Sequence, residues 1–360
     1  MKNFFMALAM VAIVATSCSK DDAPKNDTSA LQKSVKFSLA NVVSTRSFDA
    51  MVGDGANIKL NDCQIFFVGG DGALYTAKTI DGTSDAQQYF ATAPQSDTVL
   101  DFHFLPAAVQ KVVVVGNYGS ELSPANLNAI KAVATEASTQ QDDENLLVYG
   151  EATLEPVSNV QDHGNTYEAK VSVLPLVSRI EIGGFVCEFS ETPLYDQVDI
   201  TMMALNNYYT NATIGGTRSN FLSTAITSSS AYPFFNDTTA PAYSKDEIAN
   251  VSLTPTANSA DFDTEAYLVY HTFTGDIPQL VVRITGIKDG SASPLYLATS
   301  AFYDGATKIE NFEAGKVYRM KFNGENRFAF DDTDLNQPEK CVNVTIETAD
   351  WVIVNVTPEF

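Results

Sequence analysis

The apolar residues of this chain recur at every second position rather than every third or fourth, and that period commits most of it to β-strands. Val35, Phe37 and Leu39 alternate with Lys36, Ser38 and Ala40, which gives a strand one face for a core and one for water. Runs of the same character lie at 58–68, 73–80, 98–104, 111–116, 145–154 and 166–174. They resume at 180–189, 196–205, 265–273, 279–287, 294–303, 315–323 and 341–356. Val112 to Val115 are consecutive valines, which predicts an interior strand covered on both faces. One segment reads as helix: Ser123 as cap, Pro124 in the first turn, and Leu127, Ile130 and Ala134 on one stripe. Pro175 sits inside an apolar run and cannot donate to a ladder, so a domain boundary is expected there. Residues 206–260, rich in Asn, Ser, Thr and Tyr, read as irregular. The expected fold class is mostly β: two antiparallel β-sandwich domains of transthyretin-like or Greek-key type, 47–175 and 176–360, with one or two short helices.

Composition narrows the function. The 360 residues are 45% hydrophobic and include 22 Phe, 15 Tyr and 1 Trp, too aromatic for an acidic disordered chain. Lys and Arg total 22 against 44 Asp and Glu, a net charge of -22. No basic excess exists to displace counterions, so nucleic acid is excluded as a partner. Three His and four Cys leave little for a metal centre or a disulfide framework. No Gly-x-Ser-x-Gly, phosphate-cradling loop or His-Glu-x-x-His occurs, and the reading is of a non-enzyme that needs no cofactor. Cys63 and Cys187 lie in apolar runs and read as buried free thiols. The acidic clusters at Asp261 and Asp263 and at Asp331, Asp332 and Asp334 read as solvated faces, with calcium as the alternative. Tyr208, Tyr232 and Phe235 read as packing residues, with stacking on a sugar as the alternative.

The two ends carry the functional argument. Residues 1–17 have a basic start and an apolar run over 4–14, too short to span a bilayer but suited to a signal peptide. The run ends in Ala15, Thr16 and Ser17 before Cys18, which resembles the lipobox of bacterial lipoproteins. Cleavage before a lipidated Cys18 is expected, an ordinary secretory cut being the other reading. A polar tether leads on to Ser34. Arg46, followed by Ser47, is the only Arg among the first 178 residues, and its small and turn-forming neighbours suit an exposed protease site. A cut there separates 18–46, with the strand of Val35, Phe37 and Leu39, from the rest. A removed strand leaves open edges and an apolar groove. At the other end, Val342, Val344 and Ile346 alternate with polar residues, and Trp351 opens a second run with Val352, Val354 and Val356. Such a tail either completes its own sheet or adds to the edge of another molecule.

Taken in order, the lipobox cysteine, Arg46 after a first strand, the 176–182 strand, the 311–319 segment and the Asp350 to Val354 terminus resemble the fimbrillin family, the type V pilins. The resemblance implies a structural, cell-adhesive stalk subunit of a surface fimbria. Its lipidated precursor would sit in the outer membrane through Cys18 and its mature form in the extracellular fibre. It further implies that an Arg-specific or trypsin-like protease cuts between Arg46 and Ser47. The C-terminal strand of a neighbouring pilin subunit then fills the groove. Residues 1–46 hold six basic and three acidic side chains. Without them the body keeps 16 basic and 41 acidic residues, a net of -25, which disfavours collapse of fibre on fibre. A host or bacterial surface ligand is a further expected partner. The alternatives are a monomeric glycan-binding surface lipoprotein and a fimbrial tip adhesin.

Overall fold

The computed structural model describes residues 33–40, 60–79, 85–86, 88–92, 99–143, 145–157, 166–227, 229–237, 240–262, 268–273, 275, 277–335 and 342–350. Within them the chain is mostly β, with two short α-helices.

Two six-stranded sheets enclose the first core. One runs in the order Glu155–Pro156, Thr166–Ser172, Lys33–Ala40, Val99–Leu105, Ala77–Thr79, Asp85–Ala86. The other runs Leu174–Pro175, Val148–Thr153, Val109–Gly116, Asp62–Gly69, Leu74–Tyr75, with Gln88–Thr92 also on Asp62–Gly69. Period two decides which side chains meet: Val35, Phe37, Phe102 and Val171 from one sheet face Ile65, Phe67, Val112 and Val114 from the other. Phe67 and Phe102 pack edge to face with ring centroids 4.8 Å apart. The intervening Phe66, Val68, Val113 and Val115 point away into a second layer closed by Ile130 and Ile214. All four valines are therefore buried.

A nine-stranded sheet dominates the second half. Its main path is Lys245–Leu253, Gln197–Asn206, Gln279–Lys288, Ser291–Asp304, Val342–Asp350, Lys316–Met320, Val177–Ile182, Leu268–Phe273. A second core lies against it, with Ile180, Val282, Phe302, Phe312, Tyr318 and Phe328 among its members. Most pairings are antiparallel. The parallel exceptions are Lys33–Ala40 on Thr166–Ser172, Val177–Ile182 on Lys316–Met320, Gly184–Glu188 on Phe328–Asp331, and Ser291–Asp304 on Val342–Asp350.

Two expectations change. The helix spans only Leu127–Lys131, because the Asn126 side chain accepts from the Ala129 N–H at 2.9 Å and caps it there. Ala134 instead begins the strand Ala134–Glu136. Residues 206–260 are not irregular: they hold Tyr208–Thr213, Arg218–Leu222 and Lys245–Leu253. Arg218–Leu222 is exposed along its whole length, and a strand with no buried face carries no apolar alternation to read. Pro175 closes the short strand Leu174–Pro175 and the next strand begins at Val177, as expected of a residue that cannot donate; it pairs with Val148 at the sheet edge, where a missing N–H is harmless.

Candidate functional site

The candidate site is the seat of the strand Lys33–Ala40. It lies in the interior of its sheet, parallel to Thr166–Ser172 and antiparallel to Val99–Leu105. The register places Phe37 opposite Ala169 on one side and Leu100 on the other. Both edges of the strand are thus occupied, and its departure orphans backbone groups on two neighbours. Val35 and Phe37 are each 1% exposed within the first core, worth about 1.5–3 kcal/mol apiece as buried side chains. Polar contacts fix the strand's entry. Lys33 Nζ donates to the Val109 carbonyl at 2.8 Å and lies 4.4 Å from the Tyr167 ring centroid, while Ser34 Oγ and His103 Nδ1 are 3.0 Å apart. Burial lowers the Lys33 pKa from its ordinary value. Leu39 aligns with Val171 in the ladder. Cys18, Arg46 and Ser47 lie outside the described residues.

At the other end, Val342, Val344 and Ile346 belong to Val342–Asp350, which pairs with Ser291–Asp304 on one side and Lys316–Met320 on the other. Val344 is buried in the second core. This strand completes its own sheet, as an interior strand. Trp351, Val352, Val354 and Val356 lie outside the described residues.

Between the cores stands a charged cluster that sequence reading did not single out. Glu181 Oε1 accepts from Arg179 Nε at 2.6 Å and Glu181 Oε2 from Arg319 Nε at 2.7 Å. Arg179 Nη1 reaches Asp143 Oδ2, and His271 Nε2 lies 2.9 Å from Asp143 Oδ1. Burial alone would raise the Asp143 pKa, but the His271 hydrogen bond and the Arg179 charge outweigh it and hold the carboxyl at about 2. Asp143 follows the first-core elements, whereas Arg179, His271 and Arg319 sit on three adjacent strands of the second sheet. The cluster therefore ties the two cores. Its signal in the sequence is Arg179 and Glu181 alternating with Ile180 and Ile182 in one strand.

The remaining candidates find structural roles. Cys63 and Cys187 are free and buried; burial and the Asp62 charge push the Cys63 thiol up to about 12, and burial and nearby aspartates raise Cys187 further. Asp332 accepts from the Ser190 and Leu194 N–H groups at 3.1 and 2.8 Å, and Asp261 pairs with Arg327 Nε at 2.5 Å. Among the described residues no group of three or more His, Cys, Asp or Glu is disposed to hold a metal. Tyr208 packs edge to face on Tyr243 at 6.3 Å, and Phe234 on Phe235 at 5.4 Å. No helix among the described residues is long and apolar enough to cross a membrane.

No protein-family model matches the chain, and no curated protein matches it. Solved structures do. A candidate cell adhesion protein from Parabacteroides distasonis superposes with a TM-score of 0.58 at 12% identity, over 91% of this chain and 98% of that one. Another from Bacteroides eggerthii gives 0.55 at 16% identity over the same shares, 91% and 98%. A fimbrilin from Porphyromonas gingivalis gives 0.50 at 14% identity, over 90% and 99%. At these identities the likeness is one of fold: over about nine-tenths of its length the chain is built on the fold of this fimbrilin and these adhesion proteins, and its resemblance to the fimbrillin family holds at that level.

Proposed function

We propose that the chain is a non-enzymatic structural subunit, of stalk type, in a cell-surface adhesive fimbria, and that it polymerises by strand exchange after cleavage between Arg46 and Ser47. The observation that carries this reading is the position of the first strand. It fills an interior place in its sheet, yet it precedes Arg46 in a chain whose remaining strands already form two cores. Removing it opens a slot lined by two ladders and a gap where Val35 and Phe37 packed. Only another strand satisfies both.

The tail 351–360 fits the demand. Val352, Val354 and Val356 reproduce the spacing of Val35, Phe37 and Leu39. Direction favours a neighbour's tail over the chain's own. The first strand ends where Ala40 faces Ser172. The tail also starts near there, because Asp350 pairs with Lys316 and the adjoining Gly315 abuts Leu174. To enter its own slot in the native direction, the tail would first run back along it. Seven paired positions at about 3.3 Å each make roughly 23 Å. Ten residues reach about 35 Å at most, which leaves too few to fill the slot. A head-to-tail contact of this kind is heterologous and does not close, as a filament requires.

In this reading residues 1–17 are a signal peptide. Cys18 carries the lipid that holds the precursor at the outer membrane, and 47–175 and 176–360 are the two domains of the mature subunit. The last strand, with Val342, Val344 and Ile346, stays in its own sheet while the segment after Trp351 is donated. The test uses soluble protein beginning at Ser19, trace trypsin and an unheated SDS gel. The expected result is a ladder whose subunits begin at Ser47. Ladders of full yield from Arg46→Ala, or from a chain lacking 352–360, would refute the proposal.

A further inference from the structure

We propose that an apolar cleft where the two cores meet is the seat of Trp351, the single tryptophan, and that this indole anchors the root of the tail. The cleft has a volume of about 250 Å³, and Tyr149, Leu174, Ile214, Phe273, Ala314 and Arg218 are among its lining residues. Leu174 is 43% exposed there, one of five large apolar side chains left open to water among the described residues. An exposed apolar patch of this sort marks a surface made to be covered.

The end of the described chain identifies the occupant. Asp350 pairs with Lys316 in the last described rung of an antiparallel ladder, and Trp351 is the next residue of the chain. A side chain at Gly315 would point at Leu174, since a Cβ built there comes 3.1 Å from Leu174 Cδ2. The chain has a glycine at that position, with φ +72°, so no side chain of its own fills the space beside Leu174. Ala314, the next residue back, is already part of the lining.

The chemistry of the lining suits an indole. Tyr149 Oη is buried and has no hydrogen-bond partner among the described residues, which leaves it as an acceptor for the indole Nε1–H, a group that only donates. The Arg218 guanidinium already lies 5.1 Å from the Tyr209 ring centroid, so the cleft mouth is one where a cation meets aromatic faces. Anchoring Trp351 leaves nine residues, 352–360, to match a first strand of eight. That match rests on the strand-exchange reading, whereas the seat itself does not.

Fluorescence tests the seat directly, because one tryptophan reports for one site. Uncut protein from Ser19 is measured beside the same protein in urea, at several dilutions. The expected native spectrum is displaced to shorter wavelength, resists acrylamide quenching and is independent of concentration. Leu174→Asp, at an already exposed position, is expected to move the emission toward the urea value and raise quenching while the circular dichroism stays native. Tyr149→Phe is expected to shift it less in the same direction. A native indole quenched as freely as in urea would overturn the proposal, as would emission unmoved by Leu174→Asp. A blue shift that fades on dilution would give the cleft to a second copy and overturn it equally. Since nothing is cleaved, a failure of polymerisation leaves this result standing, and a failure here leaves the ladder assay standing.

Discussion

Replacing Phe37 by Ala asks the most of the first strand's seat. The ring is 1% exposed in the first core, and truncation of a buried Phe removes about 3–5 kcal/mol through lost transfer energy and the cavity left behind. In the uncut chain that loss appears as a lower urea midpoint with an unchanged slope. In the chain nicked after Arg46 the same loss falls on retention of the segment 19–46. At roughly 1.4 kcal/mol per tenfold, its dissociation constant rises by about two to three and a half orders of magnitude. The assay is gel filtration of nicked protein at several dilutions, with the released segment measured by mass spectrometry. Nicked Phe37→Ala is expected to lose the segment at concentrations where nicked wild type keeps it. With tail present, it is also expected to polymerise sooner. An uncut stability loss under about 1 kcal/mol, or equal retention by both nicked proteins, would refute the claim that burial of this ring holds the strand.

Other perturbations test the rest of the structure. Glu181→Ala leaves the Arg179 and Arg319 guanidinium groups without their shared carboxylate, and breaking a buried pair of this kind is expected to lower the unfolding free energy by about 3–5 kcal/mol in urea. Asp143 has a folded pKa of about 2 against an ordinary 3.8. Its contribution to stability is therefore complete above about pH 4 and lost as pH falls toward 2; in acid titrations followed by circular dichroism, Asp143→Asn is expected to abolish that dependence. Cys63, with its thiol pushed up to about 12, and Cys187, also buried, are expected to react with a disulfide reagent at pH 8 only after unfolding. Rapid labelling of either in the native protein would contradict their burial. Asn126→Ala removes the side-chain cap of Leu127–Lys131 and is expected to lower stability by roughly 0.5–2 kcal/mol.

What the sequence made legible follows from which interactions leave a local trace. Val35 with Phe37, and the valines from 112 to 115, lie in strands whose buried faces are set by alternation, so their places in the core were readable. Arg218–Leu222 has no buried face, and its hairpin is carried by turn residues such as Gly216, at φ +85°. Residues 206–260 accordingly looked irregular. The charged cluster was illegible for another reason. Arg179 and Glu181 stand out within one strand, but Asp143, His271 and Arg319 reach them only through the fold, across sequence separations that no pattern encodes. The aromatics Tyr208 and Phe235 follow the packing reading, their rings engaged with Tyr243 and Phe234. For the first strand's seat, sequence supplied the occupant and register supplied its direction, as neither strand pairing nor parallel orientation is written in a single strand's composition.

The interior placement of the first strand also makes it a tethered ligand of its own protein. While the chain is whole, Lys33–Ala40 is joined to Asp62–Gly69 through residues 41–61. A connection of that length holds a segment near its site at an effective concentration on the order of millimolar. Cutting after Arg46 alters no contact in the seat, yet it replaces that local concentration by the bulk one. At micromolar protein the change is about a thousandfold, or roughly 4 kcal/mol. One peptide bond thereby sets whether the seat is saturated by its own strand or open to competition by mass action.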